Sequence, residues 1–82
     1  MRLPRDVSGE RLAVLLGRYG YEMTRQTGSH LRLTSTARGR EHHITIPKHA
    51  ALKVGTLSAI LSEVAAYLES SREDLVEALF SR

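Results

Sequence analysis

His30-Leu31-Arg32-Leu33-Thr34 and, further along, His43-Ile44-Thr45-Ile46-Pro47 are the stretches that decide the fold. In each, apolar residues alternate with polar ones. That period of two belongs to a strand with one buried face. Leu31, Leu33, Ile44 and Ile46 are therefore predicted to face a common core, with His30, Arg32, Thr34, His43 and Thr45 on the other side. Pro47 has no N–H to give to a ladder, so it ends its strand.

Working toward the N-terminus, Tyr21 and Met23 alternate with Glu22 and Thr24, which predicts a first strand. Thr27-Gly28 marks the turn into the second strand. Ser35 to Arg40, containing Gly39, reads as a polar loop before the third. Ahead of the strands, Ser8 can cap a helix. Leu12, Leu15, Leu16 and Tyr19 then recur at helical spacing, and Gly20 supplies the stop, which predicts a helix over 9–19. Beyond Pro47, Gly55-Thr56 is expected to open the longest helix, with Thr56 as its cap. Leu57, Ile60, Leu61, Val64 and Leu68 form its apolar stripe. Ser71 and Asp74 have the spacing of a capping box. They predict a last helix over about 71–81 whose apolar face is Leu75, Val76, Leu79 and Phe80.

The order is α-β-β-β-α-α, without internal repeats or linkers. Strands joined by short turns form an antiparallel sheet, and amphipathic helices must cover one face of it. The expected class is α+β: a three-stranded antiparallel sheet with helices on one face. This arrangement is like that of double-stranded-RNA-binding domains. Eighty-two residues make one domain. A chain of this length buries only about 60–65% of its unfolded surface. Any activity must then sit on a surface or in a shallow groove.

Charge is unevenly placed. Residues 1–62 hold ten Lys/Arg against four Asp/Glu, net +6, and residues 63–82 hold two against five, net −3. A basic body attracts phosphate backbones. The absence of cysteine excludes disulfides and thiolate metal sites. No apolar run approaches a membrane span, and Met1 to Asp6 has no apolar region like that of a secretory signal. The cytoplasm is the expected location, with no membrane partner.

His30 follows a tight turn, and Arg25 stands on the other side of that turn. An imidazole can take and give protons at neutral pH, and a guanidinium can hold phosphate with a fork of donors. RNA brings its own nucleophile, the 2′-OH. By residue pattern alone an ordinary surface histidine fits as readily. His42 and His43 are adjacent on a strand, so they point to opposite faces and cannot hold one ion together. His42 shares parity with Ile44 and is expected to be partly covered. Gly55-Thr56 reads as a helix start rather than a phosphate cradle.

Three ordered pieces carry a resemblance. They are Leu16-Gly17-Arg18-Tyr19-Gly20-Tyr21, then Arg25-Gln26-Thr27-Gly28-Ser29-His30, then Ile46-Pro47-Lys48-His49 followed by Gly55-Thr56-Leu57 and Ile60-Leu61. Together with Leu3 to Gly9, they resemble the HicA toxins of HicA–HicB toxin–antitoxin pairs over about residues 3–68. The resemblance implies a fold similar to double-stranded-RNA-binding domains and an mRNA-cleaving toxin neutralised by a HicB-type antitoxin. It implies no metal and no cofactor. The histidine of its Gly-Ser-His segment, here His30, is implied to be catalytic. Around it we assign Arg25, Lys48 and Arg32 to phosphate, His49 as a second proton carrier, and Gly28 and Ser29 to the shape of the loop. The competing reading is a non-catalytic RNA-binding module. The chain departs from the resemblance in its acidic last helix. Core cover is the expected role; a homodimer or antitoxin contact is the sharper one.

Overall fold

Ser8 does what its position predicts. Its Oγ accepts a hydrogen bond from Arg11 N at 2.9 Å, which satisfies one of the free donors at the helix start. Residues 3–81 are described by a computed structural model of the chain. Met1, Arg2 and Arg82, which fall within the expected 1–82 domain, lie outside the described residues. From Ser8 follow α1 (Gly9–Leu16), one 3₁₀ turn (Gly17–Tyr19), β1 (Glu22–Gln26), β2 (His30–Ser35), β3 (His42–Pro47), α2 (Val54–Leu68) and α3 (Arg72–Phe80). Gly20 closes the first helical segment at φ 82°. A Cβ there would also press on Ser35 Oγ at 3.2 Å and Ala37 Cβ at 3.3 Å.

The sheet has the order β1-β2-β3 and is antiparallel throughout. Leu31 pairs with Ile46 and Leu33 with Ile44. All four are buried with Leu12, Leu15 and Leu16 of α1 and Leu57, Ile60, Leu61 and Val64 of α2. The opposite face carries His30, Arg32 and Thr45, all exposed. The α+β reading and the helix-covered face therefore hold. So does the favoured role of the last helix. Ser71 Oγ accepts from Asp74 N at 3.0 Å, α3 packs on α2, and Leu75, Val76 and Leu79 are buried.

Three local details depart from simple patterning. Met23 keeps the helix-side face opposite Leu33 but is 49% exposed, and every residue of β1 is exposed. The reason is position: β1 is an edge strand, and α1 packs against β2 and β3. Thr56 is not the cap of α2. The helix begins at Val54 with Lys53 at the cap, and no side chain bonds there. The preceding Leu52 is tethered by its N–H to Val7 O at 2.7 Å, so the chain enters the helix directly from that anchor. Ser35 is not loop but the last residue of β2, and it is fully buried at 0% exposure. Its hydroxyl escapes the cost of burial by donating to Tyr19 O at 3.0 Å and accepting from Ala37 N at 3.1 Å.

Candidate functional site

The β1–β2 hairpin turns on its own threonine. Thr27 N donates to His30 O at 2.9 Å. Thr27 Oγ1 accepts from His30 N at 3.0 Å and Ser29 N at 3.3 Å. Gly28 sits at the tip without a positive φ, and a Cβ there would meet nothing within 4 Å. The fold thus makes no demand for glycine at this position.

His30 opens β2 and is exposed, as strand parity predicts. Its Nδ1 lies 2.9 Å from Ser29 Oγ. When Nδ1–H donates to the hydroxyl, Nε2 is left as a base, and the same Nδ1–H bond persists when Nε2 takes up a proton and the ring becomes an imidazolium acid. The Ser29 contact is therefore compatible with both halves of an acid–base cycle.

The β3–α2 loop is brought to this turn through the backbone. His30 pairs with Pro47, and Lys48 N donates to Ser29 O at 2.8 Å. On the far side, Gly9 N donates to His49 O at 3.0 Å. A Cβ on Gly9 would fall 2.2 Å from Pro47 O, so only glycine lets α1 start this close to the loop. Lys48 is half-buried and His49 exposed. Among the described residues no hydrogen bond or ion pair joins His49 to His30.

Arg25 reaches the open face through an irregularity. The β1–β2 register shifts between Met23 and Arg25. Met23 pairs with the buried Leu33, and Arg25 pairs with the exposed Arg32. Strict alternation from Met23 would have put Arg25 on the helix side; the bulge turns it outward. Two arginines now stand directly opposite each other, an arrangement that costs stability. Both ion pairs found among the described residues lie elsewhere, Arg38–Glu69 at 3.1 Å and His43–Glu41 at 3.5 Å. Arg25, Arg32 and Lys48 thus offer uncompensated positive charge beside His30.

The remaining side-chain structure sits at the other end of the sheet, and single residues in the sequence did not announce it. Tyr21 Oη lies 2.6 Å from His42 Nδ1, and the His42 ring stacks on Tyr67 with centroids 4.7 Å apart. Burial, reinforced by Tyr67 and Glu63, pushes the Tyr21 phenol well above its usual range. It stays protonated, and the His42 tautomer sets which of the two atoms donates. On the open face, Thr24 Oγ1 and Thr34 Oγ1 lie 3.0 Å apart, and Thr34 Oγ1 lies 2.7 Å from His43 Nδ1. Alternation placed His43 outward, but this row needs the strand register, which no local pattern supplies.

Comparison with known proteins adds one finding. A family model described as "HicA toxin of bacterial toxin-antitoxin" matches residues 9–65, from the start of α1 through most of α2. No curated protein and no solved structure matches the chain.

Proposed function

The chain belongs to the HicA toxin family, and from that premise we propose that it cleaves mRNA with His30 as its acid–base residue and is neutralised by a HicB-type antitoxin. The observation that carries the proposal is the setting of His30. It is exposed, its Nδ1 is held by Ser29, and Arg25, Arg32 and Lys48 gather cationic charge at the same end of the sheet.

In the proposed reaction Nε2 of His30 takes the proton of a ribose 2′-OH. The freed oxygen attacks the adjacent phosphorus. The O2′–P bond forms and the P–O5′ bond breaks, leaving a 2′,3′-cyclic phosphate. The 5′-oxygen leaves as a hydroxyl after taking a proton from His49. Arg25, Arg32 and Lys48 hold the phosphate and offset the charge that builds on it. Ser29 orients the imidazole, and Gly28 leaves room for the backbone to approach. No step requires a metal, so a chelator should leave cleavage unchanged.

The test pairs wild type with His30→Ala in a controlled toxicity assay with antitoxin rescue, and in RNA cleavage with purified protein. Loss of a general acid–base group should lower the rate by about 10²–10⁴-fold. Equal cleavage by both proteins would reject the assignment. Tight binding by wild type that leaves RNA intact would establish the non-catalytic module instead. His49→Gln at wild-type rate would remove His49 from the proton-donor role without touching His30.

A further inference from the structure

His30 occupies only one end of the open sheet face, and the rest of that face is polar, accessible and ordered. Next along it stand the paired Arg25 and Arg32, with Thr45 on the third strand. Beyond them Glu22, Thr34 and His43 form one row across three strands. From His30 to that row is four residues of β2, roughly 13 Å. The His30 end is cationic, whereas at the other end the Glu41 carboxylate lies against His43 and Glu22 stands beyond Thr34 on the edge strand.

His43 is held in an unusual way for a surface histidine. Nδ1 meets Thr34 Oγ1 at 2.7 Å, and Nε2 meets Glu41 Oε1 at 3.5 Å. Both ring nitrogens thus have a polar neighbour within the chain. The side chain is still 40% exposed. A ring held at both edges and left part-exposed offers surface for stacking.

We propose that single-stranded RNA lies along the open face, and that His43 is a specificity-determining residue on which a nucleobase stacks near the cleaved phosphate. The location of that phosphate rests on the nuclease reading of His30. Unstacked bases of single strands bind aromatic rings, including histidine, and are read along their polar edges. The like-charged Arg25–Arg32 pair, otherwise unfavourable, holds the phosphate between the two histidines. The Glu41 carboxylate beside His43 accepts hydrogen bonds from a base amino group. The subsite therefore favours adenine, cytosine or guanine over uracil.

A single-stranded 2′-O-methyl RNA cannot be cleaved through its 2′ position, so it separates binding from chemistry. Titrated into isotope-labelled protein, it should shift the NMR signals of Arg32, Thr34, His43 and Thr45. His43→Ala should weaken binding by about 5- to 100-fold. His43→Phe, which keeps a ring, should recover most of it. Glu41→Gln should reduce the preference of amino-bearing bases over uracil. Shifts confined to the helices or to residues 27–30, or His43→Ala binding as tightly as wild type, would overturn the proposal. A protein that shifts along the face but never cleaves natural RNA would reject the nuclease reading and leave the track standing. Cleavage with a silent face would do the reverse.

Discussion

Two histidines at opposite ends of one sheet have been put to opposite uses. His42 is stacked on Tyr67 and hydrogen-bonded to the Tyr21 phenol. Around it Tyr67 Oη donates toward Arg40 O at 2.6 Å and accepts from Arg38 N at 2.9 Å, tying down the β2–β3 loop. His30 is exposed and its ring hydrogen-bonds to its neighbour Ser29, beside cations that make no ion pair among the described residues. At one end polar groups are satisfied within the chain; at the other, among the described residues, the cations have no ion-pair partner. Satisfied polar groups hold a fold, whereas unpaired like charges do not.

The comparison breaks most visibly through substitution at its two ends. His30→Ala should cost about 10²–10⁴-fold in cleavage and change stability by less than about 0.5 kcal/mol, as an exposed residue does. Thermal melts beside cleavage rates check both halves. Tyr67→Phe should do the opposite. It strips the hydroxyl from two carbonyls and one N–H, costing about 1–3 kcal/mol. That is a fall in Tm of roughly 4–8 °C per kcal/mol for a domain of this size. Cleavage at a temperature where the variant stays folded should be retained. A Tyr67→Phe protein that melts like wild type would show that the paired end is not what holds the loop.

Alkaline pH sharpens the same contrast. The folded phenol of Tyr21 is pushed up by burial, then by Tyr67 and Glu63, so the unfolded chain loses this proton first. The associated stability is present below the ordinary tyrosine range near roughly pH 10 and is lost as pH rises above it. The loss should reach up to about 1.4 kcal/mol per pH unit. Tyr21→Phe should melt lower at neutral pH but show a flatter alkaline decline. Parallel declines in denaturant titrations at pH 9 to 11 would contradict the role given to burial here.

Legibility followed the range of the forces involved. Leu31, Leu33, Ile44 and Ile46 announced the core face because alternation is local, and Ser8 and Ser71 announced their helices because caps act within three residues. His30 was readable for the same reason: parity put it outside, and the structure keeps it there. The exposure of Met23 was not readable because edge or centre is decided by neighbours far along the chain. Ser35 was misread because its partners, Tyr19 and Ala37, become visible only once β2 lies against the 3₁₀ turn. Arg25 is the instructive case. Its type suggested phosphate, but its place on the open face depends on a bulge that alternation cannot foresee.

That bulge supports a smaller prediction. Arg25→Thr removes one of two opposed like charges from an exposed strand, so stability should rise by about 0.2–1 kcal/mol. Single-stranded RNA binding should weaken, and the slope of log affinity against log salt should shrink by about 0.7, one phosphate's share. Higher Tm with unchanged RNA affinity would mean that the pair serves neither fold nor ligand.

A small effect on stability is also expected at Gly28, and it divides the two ends most finely. Gly20, near Ser35, has φ 82° and only tight space for a Cβ, so Gly20→Ala should destabilise by about 1 kcal/mol or more. Gly28 has neither constraint. Gly28→Ala should leave the melt unchanged or raise it by up to about 1 kcal/mol, since it restricts only the unfolded chain. Any loss of cleavage in Gly28→Ala is then a report on the ligand rather than on the fold. A methyl group that meets no protein atom can obstruct only what binds there. If cleavage instead survives intact, the turn bears on catalysis solely through Ser29 and its hold on His30.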